Sequence, residues 1–330
     1  MLRFVRNTLH PARYHGRLRG QRPPFFEGWY FKVVDATGQH RLAVIPGIFW
    51  SGEPHAFVQV LDAAAEAHYH RYPVEAFWAA PDRFDVHVGP CRFSHNTMTL
   101  LIDTPGQRLT GTLRFGGLAP WPVTWAAPGI MGWYAWVPFM ECYHGVVSLD
   151  HEIYGTLEIN GQEIDFSGGR GYIEKDWGRS FPEAWIWFQS NHFEQPGTCL
   201  TASIAIIPWL WTAFPGFIIG LWHGGRLYRF ASYTGARVER LDVSDHTIEW
   251  VVADDEHRLE MFVQQGPGSE FGLLKGPDRA EMGKRVAETL SALLRVRLTT
   301  RDGRLLFEGT GRYGGLEVYQ VEARLLKMIR

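Results

Sequence analysis

Cysteine is scarce in this sequence, which has only Cys91, Cys142 and Cys199 in 330 residues. The three are widely spaced, form no CxxC pair and have no Cys/His spacing of a metal site. This pattern argues against a disulfide scaffold and against a zinc centre. The N-terminal stretch 1–24 is rich in Arg and His and lacks a continuous apolar segment, so it does not resemble a secretory signal. We therefore expect a cytoplasmic protein.

An excess of charge of one sign is also missing, because the formal net charge is −2. No strong field then draws the chain to nucleic acid or to an anionic membrane, and no nucleic-acid partner is predicted. The sequence has no Walker loop, no nucleophile elbow and no GxGxxG after a strand; the glycines of 168–171 are too few and misplaced. We expect neither a cofactor nor a metal.

Charged residues are absent from two stretches, 118–140 and 199–221, each long enough to span a bilayer as a helix. Prolines interrupt both stretches, and no basic flanks would orient a membrane span. Buried strands joined by apolar loops are the better prediction. A loop that enters a lipid surface to collect substrate, and hence a peripheral membrane contact, is left open.

Turn signals predict a mainly β protein. Asn160-Gly161 and Asp302-Gly303 each separate two strand-like runs, and such pairs favour two-residue hairpin turns. Both halves of the chain begin with an acid-bearing aromatic strand followed by antiparallel hairpins. The organisation expected is an N-terminal arm (1–24) and two antiparallel β-barrel or sandwich domains (25–150 and 151–330).

One amphipathic helix is predicted near the C-terminus, over about 277–295. Asp278 and Glu281 have the spacing of a capping box. An apolar stripe at helical spacing follows, formed by Met282, Val286, Leu290, Leu293 and Leu294. This stripe is expected to pack against a sheet.

Aromatic residues are abundant, at 14% of the chain with 14 Trp. They either line a cavity for a large apolar ligand or fill the core of stacked sheets. One acid, Glu27, lies inside the aromatic run 25–32 and shares a strand face with Phe25, Trp29 and Phe31, opposite Tyr30. Glu27 is either functional or paired with a Lys or Arg.

A second acid-bearing run, 171–193, places Tyr172, Glu174 and Asp176 on one strand face and Lys175 and Trp177 on the other. Two carboxylates at positions i and i+2 cannot both ionise cheaply in a dry pocket, so one of them would keep its proton. A general acid is made in this way. The alternative is a solvated, charged strand end.

A third run, 128–151, places Glu141 and Tyr143 on one face of a strand and Cys142 and His144 on the other. A lone His in such a run is often a hydrogen-bonded core residue, so both interpretations of His144 stay open.

Together these runs resemble the tocopherol cyclase family. The resemblance rests on FFEGWYFK at 25–32, on PGIMG at 128–132 with FMECYHGVVS at 139–148, and on GYIEKDWGRSFP at 171–182. It implies two lipocalin-like β domains and cofactor-free ring closure of a phytyl or prenyl quinol to a chromanol. An acid would protonate the alkene, the phenol oxygen would capture the cation, and the site would exclude water.

Under this resemblance, Glu174 or Asp176 is the proton donor, tuned by the other carboxylate or by Lys175. Glu27 or Glu141 would orient or deprotonate the phenol. The expected substrate contacts are Trp29, Tyr30, Tyr143, His144, Tyr172, Lys175 and Trp177. The expected ligand is a hydrophobic small molecule. Two alternatives remain: a related isoprenoid hydratase or cyclase, and a lipid- or quinone-binding protein without chemistry.

Overall fold

The computed structural model describes residues 2–16, 23–266, 268, 270–322 and 324–329, and the chain within them is mainly β. Two short α-helices and two 3-10 turns (Val74–Ala76 and Gly132–Trp136) accompany the strands. The α-helices are α1 (Leu2–Thr8) and α2 (Leu325–Ile329), and the strands are β1 (Phe25–Val34), β2 (Arg41–Trp50), β3 (His55–Asp62), β4 (Ala67–Tyr72), β5 (Phe77–Ala79), β6 (Asp85–Val88), β7 (Cys91–Ser94), β8 (Thr97–Thr104), β9 (Gln107–Gly116), β10 (Cys142–Tyr154), β11 (Thr156–Ile159), β12 (Gln162–Asp165), β13 (Arg170–Gly178), β14 (Trp185–Ser190), β15 (Cys199–Trp209), β16 (Thr212–His223), β17 (Arg226–Ala231), β18 (Arg237–Val243), β19 (Thr247–Ala253), β20 (His257–Gln264), β21 (Gly272–Gly276), β22 (Lys284–Thr300) and β23 (Leu305–Tyr319).

The strands form two antiparallel sheets, as predicted. The first sheet has the order β4-β3-β2-β1-β13-β10-β9-β8-β7-β6-β5, with β11 paired to β9 and β12. The second has the order β17-β16-β15-β14-β23-β22-β20-β19-β18. The Asn160-Gly161 hairpin forms between β11 and β12, with positive φ at both residues (51° and 88°), which is the geometry that this pair favours.

The chain forms two compact units. Unit 1 comprises Met1–Phe181 with Leu273–Arg285, and unit 2 comprises Pro182–Gly272 with Val286–Arg330. The predicted boundary near residue 150 falls inside β10 and differs from this division. The reason is that β13 pairs with both β1 and β10, so the chain up to residue 178 belongs to the first sheet. Residues 17–22 of the predicted arm lie outside the described residues.

The predicted helix over 277–295 is wrong, because Lys284–Thr300 is the long strand β22. Asp278 accepts hydrogen bonds from the backbone N–H groups of Ala280 and Glu281 at 2.7 and 2.8 Å, so it caps a turn instead of a helix. β22 pairs with β23 over 288–299 and with β20 over 293–300, and in its second half its apolar residues alternate with exposed arginines. Pairing with neighbouring strands therefore determines the structure of this segment, although its apolar residues have helical spacing.

Each unit has its own apolar core. In unit 1 it includes Trp29, Phe31, Val33, Ile173 and Leu113, and in unit 2 it is built around Trp250. The charge-free stretch 199–221 forms β15 and β16, and the stretch 118–140 is a loop that holds one 3-10 turn. Among the described residues, no helix has the length and apolar character needed to cross a bilayer.

Candidate functional site

Three neighbouring strands carry nearly all the predicted site residues. β13 lies between β1 and β10, and the register aligns Gly28, Asp176 and His144 in one row across the three strands. Tyr30 aligns with Glu174 two positions further along, so both rows lie on one face. The row between them aligns Trp29, Lys175 and Gly145, which belong to the opposite face. Because alternate residues of a strand face opposite sides, these rows define two faces of the sheet with different chemistry.

The first face, here called the acid face, collects Tyr172, Glu174, Asp176 and His144. The Tyr172 hydroxyl donates a hydrogen bond of 2.5 Å to Glu174 Oε2. His144 Nδ1 lies 2.9 Å from Asp176 Oδ1, and its Nε2 lies 3.5 Å from Glu174 Oε2. The imidazole therefore lies between the two carboxylates: it is hydrogen-bonded to Asp176 and lies within ion-pair distance of Glu174. Both carboxylates lie on one face, as the strand alternation predicts.

Burial differs along the acid face. Tyr172 is fully buried and Glu174 is almost so, at 4% exposed. The side chains of His144 and Asp176 are more accessible, at 15% and 27%. The acid face is thus dry at Tyr172 and wetter at Asp176.

His144, Glu174 and Asp176 also form the kind of group that can hold a metal ion. One ligand atom from each lies within 4.8 Å of the others. An imidazole and two carboxylates suit several divalent cations. The same residues also make other contacts, since His144 Nδ1 is hydrogen-bonded to Asp176 and Glu174 Oε2 accepts a hydrogen bond from the Tyr172 hydroxyl.

Aromatic side chains flank the acid face at its wetter end. Phe26 packs in a cluster with Phe49 and Phe57, and Cys142 and Phe181 contact this cluster. Gly28, which lies opposite Asp176, has no side chain and is partly exposed, although its neighbours in β1 are buried. A Cβ atom at Gly28 would have its nearest contact at 3.7 Å. The sheet therefore has a position without a side chain between Phe26 and Tyr30, beside Asp176, here called the open position. It admits a methyl group at ordinary van der Waals distance from Ile45 and Phe57 (3.8 and 3.9 Å).

The opposite face contains a buried ion pair between Glu27 and Lys175. The Lys175 Nζ lies 2.5 Å from Glu27 Oε1, and both side chains are fully buried. The backbone N–H groups of His15 and Gly16 donate to the two Glu27 oxygens at 2.8 and 3.0 Å. Lys175 Nζ also donates to the carbonyls of Pro11 and Arg13, at 3.1 and 2.5 Å. This cluster fastens the N-terminal arm to the sheet.

Burial dominates the electrostatics of the cluster. Desolvation lowers the pKa of Lys175 to about 8, although Glu27 raises it. Desolvation and the Lys175 charge lower the pKa of His15 to about 4. Burial alone would raise the pKa of Glu27, but Lys175 and the His15 contacts hold that pKa below its ordinary value. Glu27 is thus held as a carboxylate and is a poor proton donor.

Aromatic rings enclose this cluster. Lys175 Nζ lies 4.5 Å from the Trp177 ring centroid and 5.0 Å from that of Trp29. Trp177 stacks on His15 at 4.1 Å and on Tyr143 at 5.4 Å. The Trp29 indole N–H donates to the Ala12 carbonyl at 2.9 Å. These rings serve the packing of the arm.

The structure thus separates the predicted residues into three groups. His144, Tyr172, Glu174, Asp176 and Tyr30 share the acid face. Glu27, Trp29, Tyr143, Lys175 and Trp177 lie on the opposite face. Glu141 belongs to neither group, because it forms an ion pair of 2.7 Å with Arg279, whose side chain is mostly exposed.

Sequence reasoning missed His15 and Gly28. No local signal identifies His15, because its contact with Lys175 joins residues 160 positions apart. Gly28 stands between Phe26 and Tyr30 on one face of its strand. A glycine there marks a bulge or a close approach, and this signal could have identified it.

Solved structures with the same fold are lipocalin-like two-domain β proteins. CghA, solved with Sch210972, has a TM-score of 0.53 and 13% identity, covering 90% of this chain and 89% of its own. Kievitone hydratase from Nectria haematococca has a TM-score of 0.51 and 11% identity, covering 89% of each chain. At these identities the likeness concerns the fold alone.

Sequence comparison assigns the family. The profile of the tocopherol cyclase-like family matches residues 117–319, and the protein belongs to this family. A rice protein (Oryza sativa subsp. japonica) named "Probable tocopherol cyclase, chloroplastic" is 29% identical over 130 residues. The chloroplastic tocopherol cyclase of Zea mays is 30% identical over 110 residues. These matches cover 38% and 32% of this chain, and 25% and 23% of the plant proteins, so the chain spans about a quarter of the plant relatives' length.

Proposed function

We propose that the protein is an enzyme that protonates an isoprenoid alkene on the acid face, and that its reaction closes a prenyl or phytyl quinol to a chromanol. The observation that carries this proposal is the imidazole of His144 between Asp176 and Glu174, with Tyr172 hydrogen-bonded to Glu174. Such a chain can hold one proton, deliver it and recover it. Membership of the tocopherol cyclase-like family supports the same class of chemistry.

In the proposed reaction Asp176 delivers the proton, because it is the more exposed carboxylate and lies beside the open position at Gly28. The proton adds to the less substituted alkene carbon and leaves a tertiary cation. The phenol oxygen forms the new C–O bond to that cation and then loses its own proton. Asp176 recovers a proton directly or through His144, so the reaction is an isomerisation with no net change in atoms or electrons.

The remaining residues of the acid face would hold the relay in position. Glu174 fixes the orientation of the His144 ring from its other side, and the Tyr172 hydroxyl fixes Glu174. Phe26 and Tyr30 flank the open position, where their rings can stabilise a developing cation by ~0.5–2 kcal/mol each. The apolar surroundings would keep water from intercepting the cation.

Incubation of the purified protein with anaerobic phytyl-benzoquinol in deuterated buffer, followed by mass spectrometry, tests the proposal. We expect a chromanol that carries one new deuterium on the tail carbon. Asp176→Asn and Glu174→Gln should each lower turnover by ~100-fold or more while substrate binding is retained. Glu163→Gln, which changes an exposed carboxylate of β12, is the matched control and should keep full activity.

Other products would contradict the ring-closure proposal in different ways. A tail hydroxyl whose oxygen comes from solvent water would identify a hydratase. A quinol that binds unchanged, with the same affinity in Asp176→Asn, would identify a carrier. Full turnover in both carboxylate variants would place the acid elsewhere.

A further inference from the structure

The loop between β9 and β10 presents large aromatic side chains to solvent. Trp125 is 69% exposed, Phe139 is 54% exposed and Trp133 is 45% exposed. The loop contains no charged residue from position 118 to position 140. Indole rings favour the interface between water and lipid, because they combine a large apolar area with one polar N–H. A surface of this composition can enter a bilayer interface without desolvating a charge.

The loop is internally ordered by its own contacts. The Trp136 indole N–H donates to the Trp125 carbonyl at 2.9 Å, and the two rings stack at 5.8 Å. Val123 and Pro128 form a β-bridge, and residues 132–136 form a 3-10 turn. These contacts satisfy part of the hydrogen-bonding capacity of the loop backbone. The exposed rings are therefore held on an ordered loop.

A basic segment lies against the loop. Phe4 of α1 contacts the Trp136 ring edge-on, with a centroid distance of 6.2 Å. The described residues 2–16, which contain α1, have three arginines and no Asp or Glu. The formal net charge of −2 for the whole chain therefore hides a locally positive segment beside the aromatic loop.

We propose that the loop 118–140 and residues 2–16 of the N-terminal arm together bind the surface of an anionic lipid bilayer. The aromatic rings supply apolar area, and the arginines supply attraction to anionic headgroups. The aromatic surface matches the apolar part of the bilayer interface, and the cations beside it match the negative headgroups.

The proposed membrane surface adjoins the acid face along the chain. The His144 backbone N–H donates to Met131 Sδ at 3.1 Å, and the Tyr143 hydroxyl donates to the Val137 carbonyl at 2.5 Å. The loop thus packs on β10 at the residues that precede and include His144. A hydrophobic substrate dissolved in lipid would meet the protein at this edge. Binding to lipid, however, does not depend on the proposed reaction and is measured without it.

Flotation of the full-length protein with liposomes tests the proposal. We expect flotation with vesicles of equal parts phosphatidylcholine and phosphatidylglycerol, and much weaker flotation with phosphatidylcholine alone. Trp125→Ala with Trp133→Ala should lower the partition coefficient by about tenfold or more, because two exposed apolar side chains are lost. Arg6→Gln and Arg13→Gln should each lower it roughly fivefold, and high salt should reproduce that loss.

Matched controls separate this contact from unspecific adsorption. Leu101→Ala removes an exposed apolar side chain of β8, and Arg114→Gln removes an exposed cation of β9; both should float like the wild type. Three outcomes would overturn the proposal. One is no flotation of the wild type with either vesicle. The second is loss of flotation only in Trp211→Ala, which lies in unit 2. The third is a loop variant that changes the oligomeric state and leaves flotation unchanged, which would identify contact with a second copy of the chain.

Discussion

Lys175 and Glu27 form an ion pair of 2.5 Å inside unit 1, with both side chains fully removed from solvent. The residues on either side of Lys175, Glu174 and Asp176, point to the other face of the same sheet. The two acid-bearing strands therefore do not combine their carboxylates in one pocket. Glu27 fastens the arm, and Glu174 and Asp176 belong to the acid face.

Removing the charge of Glu27 should affect stability first. In Glu27→Gln the ammonium of Lys175 stays buried without its counter-ion, and we expect a loss of about 3–5 kcal/mol in the free energy of unfolding. Urea denaturation followed by tryptophan fluorescence measures this loss. Glu163→Gln should change stability by no more than about 0.5 kcal/mol.

The double variant Glu27→Gln with Lys175→Met removes both charges and should recover part of that loss, because no uncompensated ion remains. A Glu27→Gln protein as stable as the wild type, but inactive towards the quinol, would contradict this view and make Glu27 a residue of the reaction.

Acid should destabilise the contact between the arm and the sheet. The pKa of His15 is about 4 in the folded protein against an ordinary value of 6.5, so the folded state binds fewer protons than the unfolded state between these values. Stability then falls as the pH falls from 6.5 to 4, by roughly 3 kcal/mol from this group. The lowered pKa of Glu27 acts in the same direction below pH 4.5. Melting temperatures across this range measure the effect.

His15→Gln is the control for the pH effect, since it keeps a polar side chain but cannot titrate. Its stability should depend less on pH between 6.5 and 4. Some slope should remain, because burial also lowers the pKa of His151, to about 3. An unchanged pH profile in His15→Gln would show that the arm does not carry the effect.

Filling the open position at Gly28 should reduce activity without unfolding the protein. A Cβ atom there has its nearest neighbour, the Pro46 carbonyl oxygen, at 3.7 Å, so Gly28→Ala fits. Gly28→Leu would extend a side chain over Asp176 and should lower kcat/KM by ~10-fold or more. Steady-state kinetics with melting temperatures distinguish the two variants. Equal activity in both would remove Gly28 from the proposed substrate path.

Removing metal ions should leave turnover unchanged. His144 and Asp176 are already joined by a hydrogen bond of 2.9 Å, and the proposed proton transfer needs no cation. Dialysis of the protein against EDTA, followed by the quinol assay, measures this. Activity that is lost on dialysis and restored by Zn²⁺ would make the three residues a metal site, in keeping with their mutual distances.

Local patterns predicted much of the sheet structure. The alternation of residues 171–177 placed Tyr172, Glu174 and Asp176 on one face, because neighbouring strand residues must face opposite sides. The hairpin at Asn160-Gly161 followed from the need for positive φ. The helix over 277–295 failed for an identifiable reason. Met282, Val286, Leu290 and Leu294 recur every four residues, and a spacing of four fits both a helix and a strand, since it is a multiple of two. Only the pairing of β22 with its neighbours distinguishes the two.

The sequence by itself determined the mainly β class, the strand faces and the presence of acids among aromatic residues, because these depend on neighbours within a few positions. Only the tertiary structure decided which acid is held in a buried ion pair and which is partly exposed. Glu27 is neutralised by Lys175 and accepts a hydrogen bond from the backbone N–H of an arm residue, His15, that lies 160 positions from Lys175. Asp176 meets His144 across a strand pair. The partner and the burial of a carboxylate set its role, and both arise from contacts between distant parts of the chain.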